Sequence, residues 1–87
     1  MSVVLPIYNE VESIPHLLDE LVPVLEQTGH TFEIICVDDG SQDGSFEALK
    51  KLRHRDNRVR IVQFRRNFGQ TAAFAAGFDK ANGNIVI

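Results

Sequence analysis

The stretch Ile34-Ile35-Cys36-Val37-Asp38-Asp39-Gly40-Ser41 is an unbroken apolar run that ends in two acids, a glycine and a serine. A run that is apolar on both faces is typical of a central strand in a helix-covered parallel sheet, because a half-exposed strand would alternate. Successive side chains of a strand point to opposite faces, so only one of Asp38 and Asp39 can face a ligand while the other turns into the loop. The stretch therefore predicts a buried strand that leads into a binding site.

Three more strands and three helices are predicted around this strand. Short apolar or alternating runs predict strands at residues 3–5, 59–64 and 85–87. Apolar positions at helical spacing predict helices that end near Thr28, His54 and Asn82, and either Asn9 or Ser13 is the candidate cap of the first. The small residues at 72–77 would let the third helix lie close to the sheet, with Phe74 and Phe78 in the core, and Gly83 would end it.

The alternation of strands and helices predicts one α/β domain over residues 1–87, with a parallel sheet between helices on both faces. This is half of a doubly wound, Rossmann-like sheet, for which we expect the strand order 3-2-1-4. Ligands of such sheets bind outside the carboxyl ends of the strands, where the strand order reverses. Loops at residues 8–10, 38–41 and 65–69 follow strands at that edge. They would bring an aromatic ring, carboxylates and guanidinium groups together, as nucleotide binding requires.

The loop at residues 65–70 combines two arginines, an amide and a glycine in front of a helix start. Backbone N–H groups and the helix dipole attract anions there, and guanidinium groups pair with phosphate. The loop therefore predicts a phosphate contact. Solvation of a basic pair at the surface explains Arg65 and Arg66 almost as well.

Composition restricts the possible classes of protein. A net charge of −3 argues against a general binder of nucleic acid or of membrane surfaces. One cysteine, Cys36, inside an apolar run indicates a buried thiol and a reducing compartment, which we take to be the cytoplasm. We find neither a run long enough to cross a bilayer nor the plan of a signal peptide, so we expect a soluble chain.

Four motifs carry a resemblance to a known family. They are Val3-Val4-Leu5-Pro6-Ile7-Tyr8-Asn9-Glu10, Val37-Asp38-Asp39-Gly40-Ser41 with Asp43, Arg66-Asn67-Phe68-Gly69-Gln70, and Ala76-Gly77 with Gly83. With them the chain resembles the amino-terminal part of the nucleotide-binding domain of family 2 glycosyltransferases, which have the GT-A fold. It looks most like the branch of dolichol- and polyprenyl-phosphate sugar transferases, which pass a hexose from a nucleotide sugar to a lipid phosphate. The resemblance covers essentially all 87 residues but only the first part of the family's catalytic domain.

The resemblance implies a binding site for a UDP- or GDP-linked sugar, with a lipid phosphate as acceptor and no nucleic acid. Asp39 would bond the base or ribose, Asp38 and Ser41 would support the turn, and Arg66 would face the diphosphate or the acceptor phosphate. The full set of nucleotide-sugar-binding residues that it implies is Pro6, Tyr8, Glu10, Val37, Asp38, Asp39 and Arg66.

The family also uses Mg²⁺ or Mn²⁺, held by an acidic Asp-x-Asp motif after the fourth strand, and its general base comes later still. These positions would follow Ile87, so the resemblance implies metal ligands mostly outside this chain and neither a catalytic residue nor a metal ligand within it. We therefore expect the isolated chain to lack transferase activity, while the full-length enzyme works at the cytoplasmic face of a membrane.

Other functions would require different sequence features. Asp38 and Asp39 taken alone fit a capping and turn pair. A dinucleotide oxidoreductase needs a glycine-rich turn after the first strand, and residues 8–12 contain no glycine. A phospho-receiver domain needs acids at the ends of several strands, whereas the first and third strands here end in Tyr8 and Arg65. The remaining alternative is a non-catalytic structural fragment that associates with itself through its final strand and so forms a homo-oligomer.

Overall fold

The computed structural model describes residues 1–81 and the backbone of Ile85–Val86. Four strands alternate with three helices, so the predicted α/β class is confirmed; the expectations for Gly83 and Ile87 lie outside the described residues. Among these residues no helix is both long and apolar enough to cross a membrane. The elements are β1 (Ser2–Ile7), α1 (Ile14–Glu26), β2 (Glu33–Asp38), α2 (Ser45–Arg55), β3 (Val59–Gln63), α3 (Gln70–Lys80) and β4 (Ile85–Val86).

The strands form one parallel sheet in the order β3-β2-β1-β4. The pairing of β1 with β2 ends with Ile7 opposite Asp38, and that of β2 with β3 ends with Asp38 opposite Gln63. These three residues therefore form a row at the carboxyl edge of the sheet. Because the strands end level, the loops that follow them begin side by side.

Helices cover both faces of β2, which explains its unbroken apolar run. Ile34 and Cys36 belong to a core cluster with residues of α1 and α2, and Ile35 and Val37 belong to a second cluster with Ala73 of α3. Cys36 is fully buried, and burial raises the pKa of its thiol to about 12. The thiol is therefore a packing group.

The third helix lies very close to the sheet. A Cβ added to Gly77 would lie 2.2 Å from Cγ1 of Val4, so the position has no room for a side chain. This confirms that small residues bring α3 onto the sheet. The expectation that Phe78 is a core residue is wrong, since Phe78 is exposed and its ring stacks on that of Phe74, with centroids 6.1 Å apart.

Arg60 ties the end of α3 to the amino edge of the sheet. Its Nη1 donates both to Oε1 of Glu33 and to the carbonyl of Lys80, at 2.7 Å each. A guanidinium is favourable at a helix carboxyl terminus, where the dipole is negative. The contact holds the carboxyl end of α3 at the amino edge of the sheet.

Candidate functional site

The loops after β1, β2 and β3 meet at the carboxyl edge of the sheet. Main-chain bonding continues one residue past the strands, because the Asp39 N–H donates to the carbonyl of Ile7 and the Phe64 N–H to the carbonyl of Asp38, at 2.8 Å each. The predicted convergence of the three loops is therefore present in the structure.

Asn9 joins the first loop to the second. Its N–H donates to Oγ of Ser41 and its side-chain carbonyl accepts the N–H of Gln42, both at 2.9 Å. Its φ of +50° is in the left-handed region, which Asn tolerates better than most residues. Asn9 was a candidate helix cap in the sequence, and so was Ser13, which occupies the N-cap position without a side-chain bond. Neither side chain caps α1.

The same two loops are joined further along by Asp43 and Ser45. The N–H of Glu10 donates to Oγ of Ser45 at 3.0 Å, and the N–H of Val11 donates to Oδ2 of Asp43 at 3.2 Å. Asp43 Oδ1 accepts from both the N–H and the hydroxyl of Ser45. The hydroxyl bond is the main cause that holds the pKa of Asp43 below its ordinary value. The loops after β1 and β2 thus form one bonded unit.

The carboxylate of Asp39 holds the third loop. Oδ1 accepts the N–H of Phe68 at 2.8 Å, and Oδ2 accepts the N–H of Gly69 at 3.0 Å and Nδ2 of Asn67 at 2.9 Å. Asp39 is only 4% exposed. The backbone donors that the sequence offered to a phosphate are therefore given to a carboxylate of the chain itself. Asn67 is a residue of this site that sequence reasoning did not single out.

The turn after Asp39 fits tightly against the same loop. Gly40 has a φ of +75°, and a Cβ at this position would lie 2.2 Å from the carbonyl carbon of Arg66. Glycine is therefore required at this position by both its backbone conformation and the close approach.

An aromatic and basic cluster stands on the third loop. The Phe68 ring is 54% exposed and meets the Phe64 ring edge to face, with centroids 5.6 Å apart. The guanidinium of Arg66 lies 4.8 Å from the Phe68 ring centre. Within residues 1–81 no carboxylate forms an ion pair with Arg66, so its charge is available to an anionic ligand.

The predicted residues on the first loop are open to solvent. Tyr8 is 47% exposed, Glu10 is exposed and Pro6 is partly buried. A depression of about 280 Å³ is lined by residues 9–13 and Asp43, so it includes Glu10 but not Tyr8. The predicted residues of the first loop therefore lie along an open edge.

Two predicted residues of β2 are buried. The side chain of Val37 is fully buried in the cluster with Ala73, so only its main chain could contact a ligand. Asp38 is also fully buried, and its Oδ1 accepts the N–H of Ser41 at 3.1 Å, as expected of a residue that supports the turn. Its Oδ2 has no partner in the part of the chain that the structure describes.

The described residues do not form a metal site. No group of three or more His, Cys, Asp or Glu side chains is arranged among them to hold a metal ion. Divalent cations on phosphates need several oxygen ligands, whereas Asp38 is buried and Asp39 is occupied by three donors.

Comparisons with known proteins identify the family of the chain. The sequence model described as "Glycosyl transferase family 2" matches residues 2–87. An uncharacterized glycosyltransferase of Synechocystis sp. is 42% identical over 87 residues. The undecaprenyl-phosphate 4-deoxy-4-formamido-L-arabinose transferase of Proteus mirabilis is 43% identical over 88 residues. Each alignment covers 100% of this chain but only 27% of the relative, so the chain spans about a quarter of their length.

Solved structures show the same fold. A mannosyltransferase from Pyrobaculum calidifontis, in complex with GDP-Man and Mn²⁺, matches 93% of this chain and 24% of its own, with a TM-score of 0.79 and 25% identity. TarS of S. aureus matches 98% of this chain and 26% of its own, with a TM-score of 0.69 and 26% identity. The sheet and its three helices are thus shared with part of each of these solved structures.

Proposed function

The chain belongs to glycosyl transferase family 2, and on that premise we propose that it is the donor-binding part of an enzyme that transfers a hexose from a nucleotide sugar to a polyprenyl phosphate. The observation that carries the proposal is the meeting of three loops at one sheet edge, with Tyr8 on the first, the Asp38-Asp39 pair on the second and Arg66 on the third. Support for the donor comes from the similar mannosyltransferase with bound GDP-Man, and support for the acceptor from the undecaprenyl-phosphate transferase.

The first two loops would hold the nucleoside. The half-exposed ring of Tyr8 can cover a base or ribose, with Pro6 beside it, and the exposed carboxylate of Glu10 can accept from a sugar hydroxyl. Asp39 keeps one acceptor position on Oδ1, since a carboxylate oxygen has two lone pairs and only the Phe68 N–H uses one. Val37 would contribute through its main chain alone.

Arg66 would bind the phosphate end of the ligand. Its guanidinium has no ion pair among the described residues and is held beside the Phe68 ring. A planar guanidinium can bind phosphate oxygens bidentately. The group fits either the diphosphate of the donor or the phosphate of the acceptor.

A divalent cation, Mg²⁺ or Mn²⁺, would bind the diphosphate through ligands mostly outside residues 1–87. This part of the proposal is supported by the Mn²⁺ in the similar mannosyltransferase. Such a cation would neutralise charge on the leaving diphosphate. The chain itself would bind and orient the donor, and alone it would have no transferase activity. The full-length enzyme would act at the cytoplasmic face of a membrane, where it meets its lipid acceptor.

Calorimetric titration of the chain with UDP, GDP and nucleotide sugars, with and without Mg²⁺, tests this function. We expect one nucleotide to bind weakly with little metal dependence, and Tyr8→Ala to weaken binding about tenfold without changing the free energy of unfolding. A chain that binds none of these ligands would overturn the donor-binding proposal.

The alternative is a non-catalytic fragment that associates with itself. It is favoured by the final strand, β4, which forms an edge of the described sheet, because an edge strand can pair with a strand of another copy. Light scattering at high concentration distinguishes the two: a homo-oligomer without nucleotide affinity supports the alternative, and a monomer that binds nucleotide refutes it.

A further inference from the structure

Several hydrogen bonds join Asp39 to the third loop at the sheet edge. One carboxylate accepts three N–H donors from Asn67, Phe68 and Gly69, and the Asp39 carbonyl lies 3.3 Å from the same Asn67 amide. The partners are 28 to 30 residues apart in sequence. This contact therefore joins β2 to the start of α3.

The loop needs an anion in this place. The N–H groups of Phe68 and Gly69 point to one spot just before α3, where the helix dipole is positive. Gly69 has φ 98° and ψ 164°, a conformation that needs glycine, and no side chain of the helix start supplies a cap. Two N–H groups that converge on one spot without an acceptor would make this loop shape unfavourable.

The held segment carries the group proposed to bind phosphate. Arg66 immediately precedes it, lies on the Phe68 ring, and has its main chain pressed against Gly40. A shift of Phe68 would therefore move the surface on which the guanidinium rests. The position of Arg66 depends on Asp39, although the two side chains form no bond with each other.

We propose that Asp39 is a positioning residue that sets the shape of the Asn67–Gly69 segment and, through it, the place of Arg66 against a phosphate-bearing ligand. The inference rests on the proposed donor-binding function and gives Asp39 a role beyond any contact with the base. Its consequence is that loss of the Asp39 charge weakens recognition of the diphosphate more than recognition of the nucleoside.

The first test needs no ligand. Asp39→Asn keeps the shape of the side chain but turns an N–H₂ group toward N–H donors. We expect amide hydrogen exchange at Phe68 and Gly69 to quicken at least tenfold relative to the α1 amides. Asp56→Asn is the matched control, since Asp56 accepts the N–H of Arg58 at 3.0 Å at the opposite edge of the sheet. Unchanged exchange at Phe68 and Gly69 in Asp39→Asn would overturn the proposal.

The second test compares ligands with and without phosphate. Uridine, guanosine, UDP and GDP are titrated into the wild-type chain, Asp39→Asn, Arg66→Gln and the double variant. We expect Asp39→Asn to weaken the binding of the diphosphate about tenfold more than the binding of its nucleoside. This extra loss of affinity for the diphosphate should disappear when Arg66 is already replaced.

Equal losses for nucleoside and diphosphate would mean that Asp39 acts on the base alone, which overturns the proposal. An excess that persists in the double variant would also overturn it, because the effect would not pass through Arg66. If the wild-type chain binds none of the four ligands, the proposed function fails, and the exchange experiment still decides whether Asp39 holds the loop.

Discussion

Gly40 and Arg66 lie in direct main-chain contact across the candidate site: a Cβ on Gly40 would be 2.2 Å from the carbonyl carbon of Arg66. The turn after β2 and the loop after β3 thus touch without any side chain between them. Asp39, which precedes Gly40, accepts hydrogen bonds from the same loop. Asp39 and Gly40 together therefore fix the position of the loop after β3 against the turn after β2.

Gly40→Ala should be strongly destabilising, and Gly29→Ala separates the two causes. Both glycines have nearly the same left-handed φ, +75° and +74°, but a Cβ on Gly29 would meet nothing within 4 Å. We expect Gly29→Ala to cost about 1–2 kcal/mol from backbone conformation alone. Gly40→Ala should cost about 1–3 kcal/mol more, because the loop must move. Urea unfolding measures both losses, and similar values would contradict the close contact.

Gly77→Ala should push α3 away from the sheet. The new methyl group would overlap Cγ1 of Val4, and such overpacking typically costs about 1–3 kcal/mol. Val4→Ala removes the obstacle, so the double variant should lose less stability than the sum of the two single variants. Additive losses in urea unfolding would show that the two positions do not meet.

Asp43 should make the chain sensitive to acid. Its pKa is held below the ordinary value of 3.8, first by the bond from the Ser45 hydroxyl, so the unfolded chain takes up the proton before the folded chain does. The contribution of Asp43 is therefore complete above pH 3.8 and is lost as the pH falls below it. Asp43→Asn should lower the free energy of unfolding at pH 7 and flatten its decline below pH 3.8. Parallel pH curves for the two proteins would contradict this prediction.

Cys36 should react only when the chain unfolds. With full burial and a pKa raised to about 12, the thiolate is scarce in the folded state. We expect an aromatic disulfide reagent at pH 8 to label the folded chain about a thousandfold more slowly than the urea-unfolded chain.

The same shift predicts weaker stability in alkali. Because the unfolded thiol ionises near its ordinary pKa of 9.0 and the folded one near 12, stability should fall as the pH rises through that interval. The expected slope is about 1.4 kcal/mol per pH unit. Cys36→Ala should lack this part of the decline, and an equal decline in the variant would contradict the assignment.

Much of the fold follows from local patterns. The apolar run at Ile34–Val37 indicated a central strand because both of its faces are covered, and the structure places α1 and α2 on one face and α3 on the other. Gly77 indicated close packing of α3 on the sheet because it has no side chain. The structure shows why a glycine is needed there: only a residue without a side chain fits against Val4.

The hydrogen bonds within the site could not be predicted from local sequence patterns. Nothing near Asp39 in the sequence says that its carboxylate accepts the N–H groups of Phe68 and Gly69, because that choice depends on how the ends of β2 and β3 align. The same holds for Asn9, whose partners become visible only once β1 and β2 are in register. The expectation for Phe78 was wrong because its ring stacks on that of Phe74, one helical turn away, and stays exposed to solvent.

The central place of β1 also matters while the protein is being synthesised. Ser2 pairs with Ile85 on one side and with Glu33 on the other, so β1 leaves the ribosome long before its second partner exists. At about 5–20 residues per second, the 83 residues from Val3 to Ile85 take about 4–17 s to translate. From the completion of β2 until Ile85 is made, one flank of β1 has no partner strand, and a nascent chain held at this length is the species that we expect a chaperone to bind.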